Sequence, residues 1–275
     1  MVDVDTLPGV IWKTKEKVWL KHQDGISNTS SGEPSPPVLP DGKCRIELEL
    51  TKRIVMVPEE DVDLANEAEF DRAGDVASLR HLNESCILHT LSCRYEGGLV
   101  HTFAGPHLIT IAQDQSNPSN YTSQVKSTYK GSRFGDTPPH VYAIVQHAHQ
   151  NMMSSNSDQC IISIGHTNAG KTNNIRHMIS YYASISSATN APTVEKVNCA
   201  MDILSSFTTA TTHQCKAATR CVHIYSVDFD RTGQMAALSV QALLLERSRV
   251  VYKAEDETNF HVFYQLLYGA DPQLR

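Results

Sequence analysis

Hydrophobic positions follow two rhythms along this chain, and the change from one to the other divides it. In the first sixty residues the rhythm is strand-like: Lys17–Lys21, Cys44–Leu50 and Arg53–Val57 alternate or run apolar as half-buried strands do. Residues 27–42, rich in Ser, Pro and Gly, offer too little apolar surface to order themselves, so a disordered loop is expected there. The acidic, aperiodic stretch Pro58–Asn66 is the expected boundary. From Asp75 the spacing turns helical through Leu79, Leu82 and Cys86, with Asn83 or Ser85 as caps. Leu99–Ile111 reads as a hairpin about Ala104-Gly105-Pro106, and Val141, Ile144, Val145, Ala148 and Met152 mark a helix opened by Pro138-Pro139.

The sharpest pattern follows. Cys160–Ile164 is a short apolar run, then Gly165-His166-Thr167-Asn168-Ala169-Gly170-Lys171-Thr172 fits G-x-x-x-x-G-K-T, and Ile175, Met178, Ile179 and Tyr182 continue at i, i+3, i+4, i+7. Buried strand, phosphate loop and helix are predicted in that order. Gly165 and Gly170 let the main chain approach phosphate oxygens, and Asn168 tolerates a left-handed conformation. The loop N–H groups, with the helix N-terminus, form an anion-binding concavity. Lys171 reaches the terminal phosphates, and the Thr172 hydroxyl takes one position on Mg²⁺.

Beyond it, Ala188–Thr193 is a polar break before a helix carried by Val194, Val197, Met201, Leu204 and Phe207. A second break, Thr208–Ala218, precedes a strand at Cys221–Phe229, a turn at Asp230-Arg231-Thr232-Gly233 and a returning strand within Met235–Leu245. A last helix bears Phe260, Phe263, Tyr264 and Leu267 and ends at Gly269. Strands and helices intermix, which predicts an α/β fold about a largely buried sheet.

Composition narrows the chemistry. With 24 basic and 30 acidic residues in 275, a nucleic-acid surface is disfavoured. Seven scattered cysteines without a C-x-x-C pair point to reduced cytosolic thiols. Of thirteen histidines only His147 and His149 stand close together, with no cysteine or carboxylate at ligand spacing, so no zinc site is expected. No apolar run approaches the roughly 20 residues of a membrane span, and no secretory segment opens the chain, so an intracellular protein is expected. Asp230-x-x-Gly233 could serve as the aspartate-glycine element of a GTPase, but between two apolar runs ordinary turn chemistry is the better reading. A guanine-specificity element of Asn/Thr-Lys-x-Asp type is absent.

Several stretches together resemble the front part of a myosin motor: the loop and helix Gly165–Ser184, Ser78–Tyr95 (SLRHLNESCILHTLSCRY), Tyr129–Ala143, Ala242–Val250 (ALLLERSRV) and Asn259–Leu267 (NFHVFYQLL). The resemblance runs in family order from about Lys17 to Arg275 and is nearest to the unconventional class XVIII. It implies an α/β P-loop NTPase core of a myosin motor, incomplete, preceded by a small SH3-like β-barrel. Residues 1–62 would be the barrel, and 63–275 the N-terminal part of the motor with phosphate loop, first switch and transducer hairpin, truncated before the second switch.

By the same resemblance the nucleotide-binding residues are Gly165, His166, Thr167, Asn168, Ala169, Gly170, Lys171, Thr172 and Asn173. Tyr121 stands at the adenine side, and Thr219 and Arg220 in the first switch; Thr172 and Thr219 are the magnesium ligands for bound ATP or ADP. The Asn-Pro that opens the family's purine loop is Gln113-Asp114 here. Ala218 stands where motors carry the serine that contacts the attacking water, and alanine can neither donate nor accept there. No segment after Gly233 resembles the second switch, so Arg220 is expected to lack a carboxylate partner. The function implied is a nucleotide-binding head, cytoplasmic and associated with the actin cytoskeleton, with weak or absent ATPase and with actin binding outside this chain. An active actin-based motor in a full-length protein, or a truncated product without activity, are the alternatives.

Overall fold

The computed structural model describes residues 7–11, 16–20, 43–48, 54–58, 61–111, 118–186, 192–271 and 273. The expected loop at 27–42 and Gln113-Asp114 lie outside them. The chain divides into two compact units, residues 1–109 and 110–275.

The first unit contains a five-stranded antiparallel sheet: β1 (Leu7–Ile11), β2 (Glu16–Leu20), β3 (Lys43–Leu48), β4 (Ile54–Pro58) and β5 (Val62–Leu64), in the order β4-β3-β1-β2-β5. β2, β3 and β4 lie where alternation places strands. β1 does not read as a strand because Pro8 and Gly9 dilute its pattern. β5 falls inside the expected boundary: Val62, Asp63 and Leu64 pair with Leu20, Trp19 and Val18, so main-chain pairing keeps this acidic stretch in the sheet.

Helix α1 spans Glu84–Glu96, beginning later than the spacing from Asp75 suggests. The Asp75 carboxylate instead accepts from the N–H groups of Ala77 and Gly105, fixing a single 3-10 turn at Val76–Ser78. The Asn83 side chain then accepts from Cys86 N at 2.8 Å and caps α1, leaving Leu82 exposed. The hairpin β6 (His101–Ala104) and β7 (His107–Thr110) follows. The buried Arg94 of α1 donates to Thr102 Oγ1 and to the carbonyls of His101 and Arg72.

The second unit holds α2 (Ser123–Tyr129), α3 (Val141–Ser155), α4 (Lys171–Ile185) and α5 (Val194–Thr208). A two-residue ladder joins β8 (Thr209–Ala210) to β9 (Ala218–Thr219), and β10 (Val222–Phe229) pairs with β11 (Met235–Leu243) before α6 (His261–Gly269). Ile179 and Ala183 of α4, Val197 and Met201 of α5 and Met235 of β11 form one core, with Tyr225, Val227 and Phe229 of β10 packed against it. Asp230–Gly233 is a hairpin turn: one Asp230 oxygen accepts from Thr232 N, Thr232 Oγ1 and Gln234 N, and Gly233 takes φ 76 where a Cβ would meet the His149 ring at 3.1 Å.

Two expectations are corrected. Cys160–Ile164 is not a strand; it runs as irregular chain with Ile162 and Ile164 exposed at 74% and 87%. A strand exists only where a neighbour takes its N–H and C=O groups, and among the described residues none pairs with this segment. Among the described residues the expected buried central sheet is likewise not formed: the second unit's sheets there are antiparallel pairs, and β10 alternates half-buried and exposed positions because only one of its faces meets helices. On α6, Phe263 and Leu267 are exposed although Phe260 is buried, since the apolar stripe meets a neighbour only at the helix start.

Candidate functional site

Each residue type in the loop before α4 has a local reason. Gly165 holds φ 151, where an added Cβ would stand 3.2 Å from the Ala169 methyl. Asn168 takes φ 68 and Gly170, the α4 N-cap, takes φ 81. These left-handed residues turn the chain so that α4 starts at Lys171 with its first-turn N–H groups outward, where no intrahelical acceptor exists for them. The Lys171 ammonium bends back over the loop and donates to the carbonyls of Gly165 at 2.8 Å and His166 at 2.6 Å. An ammonium has three donors, so one stays available at the loop mouth.

Opposite the loop stands β9. Its Thr219 hydroxyl lies 3.2 Å from that of Thr172, which brings together two side chains 47 residues apart. A magnesium ion binds oxygens at about 2.0–2.1 Å, so two adjacent ligands stand roughly 2.9 Å apart; the two hydroxyls fit that edge. The Cys215 thiol donates to Asn168 Oδ1 at 3.5 Å, a further contact between the two segments.

Together they enclose an open pocket of about 310 Å³. Of the expected residues, Thr167, Asn168, Ala169, Gly170, Lys171, Thr172, Asn173 and Thr219 line it, with Ala218 beside them. Gly165 and His166 shape the loop without lining the pocket. Tyr121 does not line it either: its ring stacks on His177 of α4 at 3.6 Å and 3°, because both are half-buried and aromatic faces are driven together there. Burial holds His177 and the neighbouring His140 down at about 4, and so both rings are neutral at pH 7.

Arg220 also points elsewhere, and it has a carboxylate partner, contrary to expectation. Its Nε donates to Glu246 Oε2, which also accepts from Arg249 Nε at 2.9 Å, while Arg249 Nη2 reaches Glu257 at 2.8 Å. Hydrogen bonds from Arg249 and then Arg220 hold the Glu246 carboxyl below its ordinary range. The partner comes from the ALLLERSRV stretch, whose value as an ion-pair source no periodicity reveals.

The pocket also contains residues not foreseen as site residues. Cys221 and His223 line it, with Sγ 3.0 Å from Nε2, and burial pushes the thiol up and the imidazole down, so the pair is neutral. The signal was the two-residue spacing, which places Cys221, His223 and Tyr225 on one face of a strand.

Comparison with known proteins gives a consistent picture. The family model for the myosin head (motor domain) matches residues 73–275. The chain is 41% identical over 266 residues to unconventional myosin-XVIIIa of Mus musculus and 35% identical over 277 to unconventional myosin-XVIIIb of Homo sapiens. It is 32% identical over 280 residues to myosin-14 of Homo sapiens. These alignments cover 96%, 99% and 98% of this chain but only 13%, 11% and 14% of the relatives, so the chain spans a small part of their length.

Proposed function

This chain belongs to the myosin head family, and from that premise we propose that it binds Mg·ATP or Mg·ADP as the front part of an unconventional, class XVIII-like head that hydrolyses ATP very slowly or not at all. The observation that carries the reading is the meeting of the Thr172 and Thr219 hydroxyls beside Lys171 at the start of α4. The phosphates would lie against the outward N–H groups of the loop and α4, with the remaining Lys171 donor directed to a phosphate oxygen. Thr172 and Thr219 would hold the magnesium, which offsets phosphate charge. The adenine side is left to residues other than Tyr121, whose ring is already stacked on His177. Association with actin filaments in the cytoplasm belongs to the same reading and rests on family membership alone.

Slow hydrolysis rests on Ala218. Phosphoryl transfer depends on placing the attacking water and stabilising developing charge, and loss of one such group costs on the order of 10²–10³ in rate. Ala218 is buried in the β8–β9 ladder and lines the pocket with a methyl group. Arg220, its Nε engaged with Glu246, does not line the pocket.

Fluorescent ADP should bind the chain in a magnesium-dependent manner. Lys171→Ala removes a charge-assisted bond of roughly 1.5–3 kcal/mol and should weaken binding by about one to two decades. Unchanged binding in that variant would refute the cradle assignment. Steady-state phosphate release at about 1 s⁻¹ or more, an ordinary enzyme rate, would replace the weak-ATPase reading with that of an active motor.

A further inference from the structure

Away from the phosphate loop, the described residues bring Asp71, His89 and Cys93 together in the first unit, their ligand atoms all within 4.8 Å of one another. We propose that these three side chains form a zinc site that staples the turn after Phe70 to α1. His89 and Cys93 are four residues apart on α1, which puts them one turn apart on the same face. His89 Nε2 lies 2.9 Å from Asp71 Oδ1, and Cys93 Sγ lies 3.6 Å from the same nitrogen and 3.9 Å from Nδ1. Tetrahedral zinc with ligands at about 2.0–2.3 Å sets ligand atoms roughly 3.3–3.6 Å apart. The thiol stands beside the ring, so the site closes by a rotation of the Cys93 side chain toward Nε2.

The scaffold already holds the ligands opposite one another. On one side of Asp71 the Phe70 carbonyl accepts from Thr90 Oγ1 at 3.4 Å, and on the other the Arg72 carbonyl accepts from Arg94 Nη1 at 3.0 Å. Both donors are on α1, so the backbone flanking Asp71 is tied to the helix that carries the other two ligands, as a preorganised site requires. An Asp–His ion pair accounts for the 2.9 Å contact, and the one-turn spacing on α1 brings the Cys93 thiol to the same ring as a third donor. One thiolate, one imidazole and one carboxylate suit zinc rather than calcium or magnesium, which take oxygen. His89 and Asp71 are 34% and 39% exposed, so an ion has access from solvent and water can take the fourth position. The sequence pair His147/His149 carries no such site: His149 Nε2 is 2.8 Å from the Gly233 carbonyl oxygen, and His147 pairs with Asn151.

Cobalt(II) titrated into the reduced 275-residue chain should produce thiolate-to-cobalt charge-transfer absorption that saturates at one ion per chain and is bleached by zinc. Cys93→Ser should abolish the band, whereas Cys199→Ser, at an exposed thiol elsewhere, should leave it intact. His89→Gln should weaken binding by more than the roughly 10–100-fold that loss of an outer-shell partner costs. Zinc absorption spectroscopy on the unaltered chain, which does not depend on any variant folding, should show one sulfur with nitrogen or oxygen neighbours. No band, a band that survives Cys93→Ser, or a shell with two or more sulfurs would overturn the site.

Discussion

Two tyrosines packed together in the second unit show how differently one hydroxyl can matter. Tyr181 OH donates to the buried Gln146 Oε1 at 2.8 Å, whereas the buried Tyr142 OH has no hydrogen-bond partner among the described residues. Removing one member of a buried pair strands the other, at about 1–3 kcal/mol, while removing an unpaired group relieves a desolvation cost. Tyr181→Phe should therefore lower the midpoint of urea denaturation, and Tyr142→Phe should leave it unchanged or raise it. His140 and His177 add a pH dependence. Their folded values of about 4 lie below the ordinary 6.5, so between those values the unfolded chain binds more protons. The stability from keeping these rings neutral is fully present above about pH 6.5 and is lost as pH falls toward 4. Ring-proton NMR titrations checking this should place both histidines near 4; midpoints near 6.5 would show that the rings are solvated.

At the scale of elements, the short ladder of β8 with β9 decides what the first-switch residues can do. It fixes Ala218 against Ala210 and turns Thr219 toward Thr172, while the next residue, Arg220, is drawn to Glu246 beyond β11. A hydroxyl added at 218 restores one donor without freeing Arg220. Ala218→Ser is accordingly expected to change steady-state phosphate release by less than about tenfold, against the 10²–10³ that a complete water-positioning group supplies. Turnover rising to ordinary enzyme rates in that variant would make Ala218 the only defect.

For the whole molecule, the apolar surface is the main consequence of the fold. Ile162, Ile164, Leu244, Val251, Tyr252, Leu267 and Tyr268 are each more than 60% exposed, and the outer face of β10 adds Val222 and Ile224. Exposed apolar faces and unpaired main chain promote association. The isolated 275-residue chain should elute above its monomer size in gel filtration with light scattering, with a broad thermal transition. A sharp monomer peak with one cooperative transition would contradict this.

Local order was written in the sequence wherever neighbours along the chain provide it. The 3.6-residue spacing of Ile175, Ile179 and Tyr182 specifies α4, the Asp230–Gly233 side chains specify their own turn, and the G-x-x-x-x-G-K-T glycines specify the loop, because each depends on contacts within a few residues. Long-range pairing was decided only in three dimensions. Cys160–Ile164 has strand composition yet forms no strand, because a ladder needs a partner that composition does not name. Val62–Leu64 sits in an acidic, aperiodic stretch and still forms a strand because β2 offers an edge. The same reason separates the site residues. Lys171 and Thr172 were legible from their own loop, whereas the meeting of Thr172 with Thr219, the capture of Arg220 by Glu246 and the convergence of Asp71 on His89 and Cys93 each span 18 to 47 residues. Such contacts exist only once packing has chosen which faces meet.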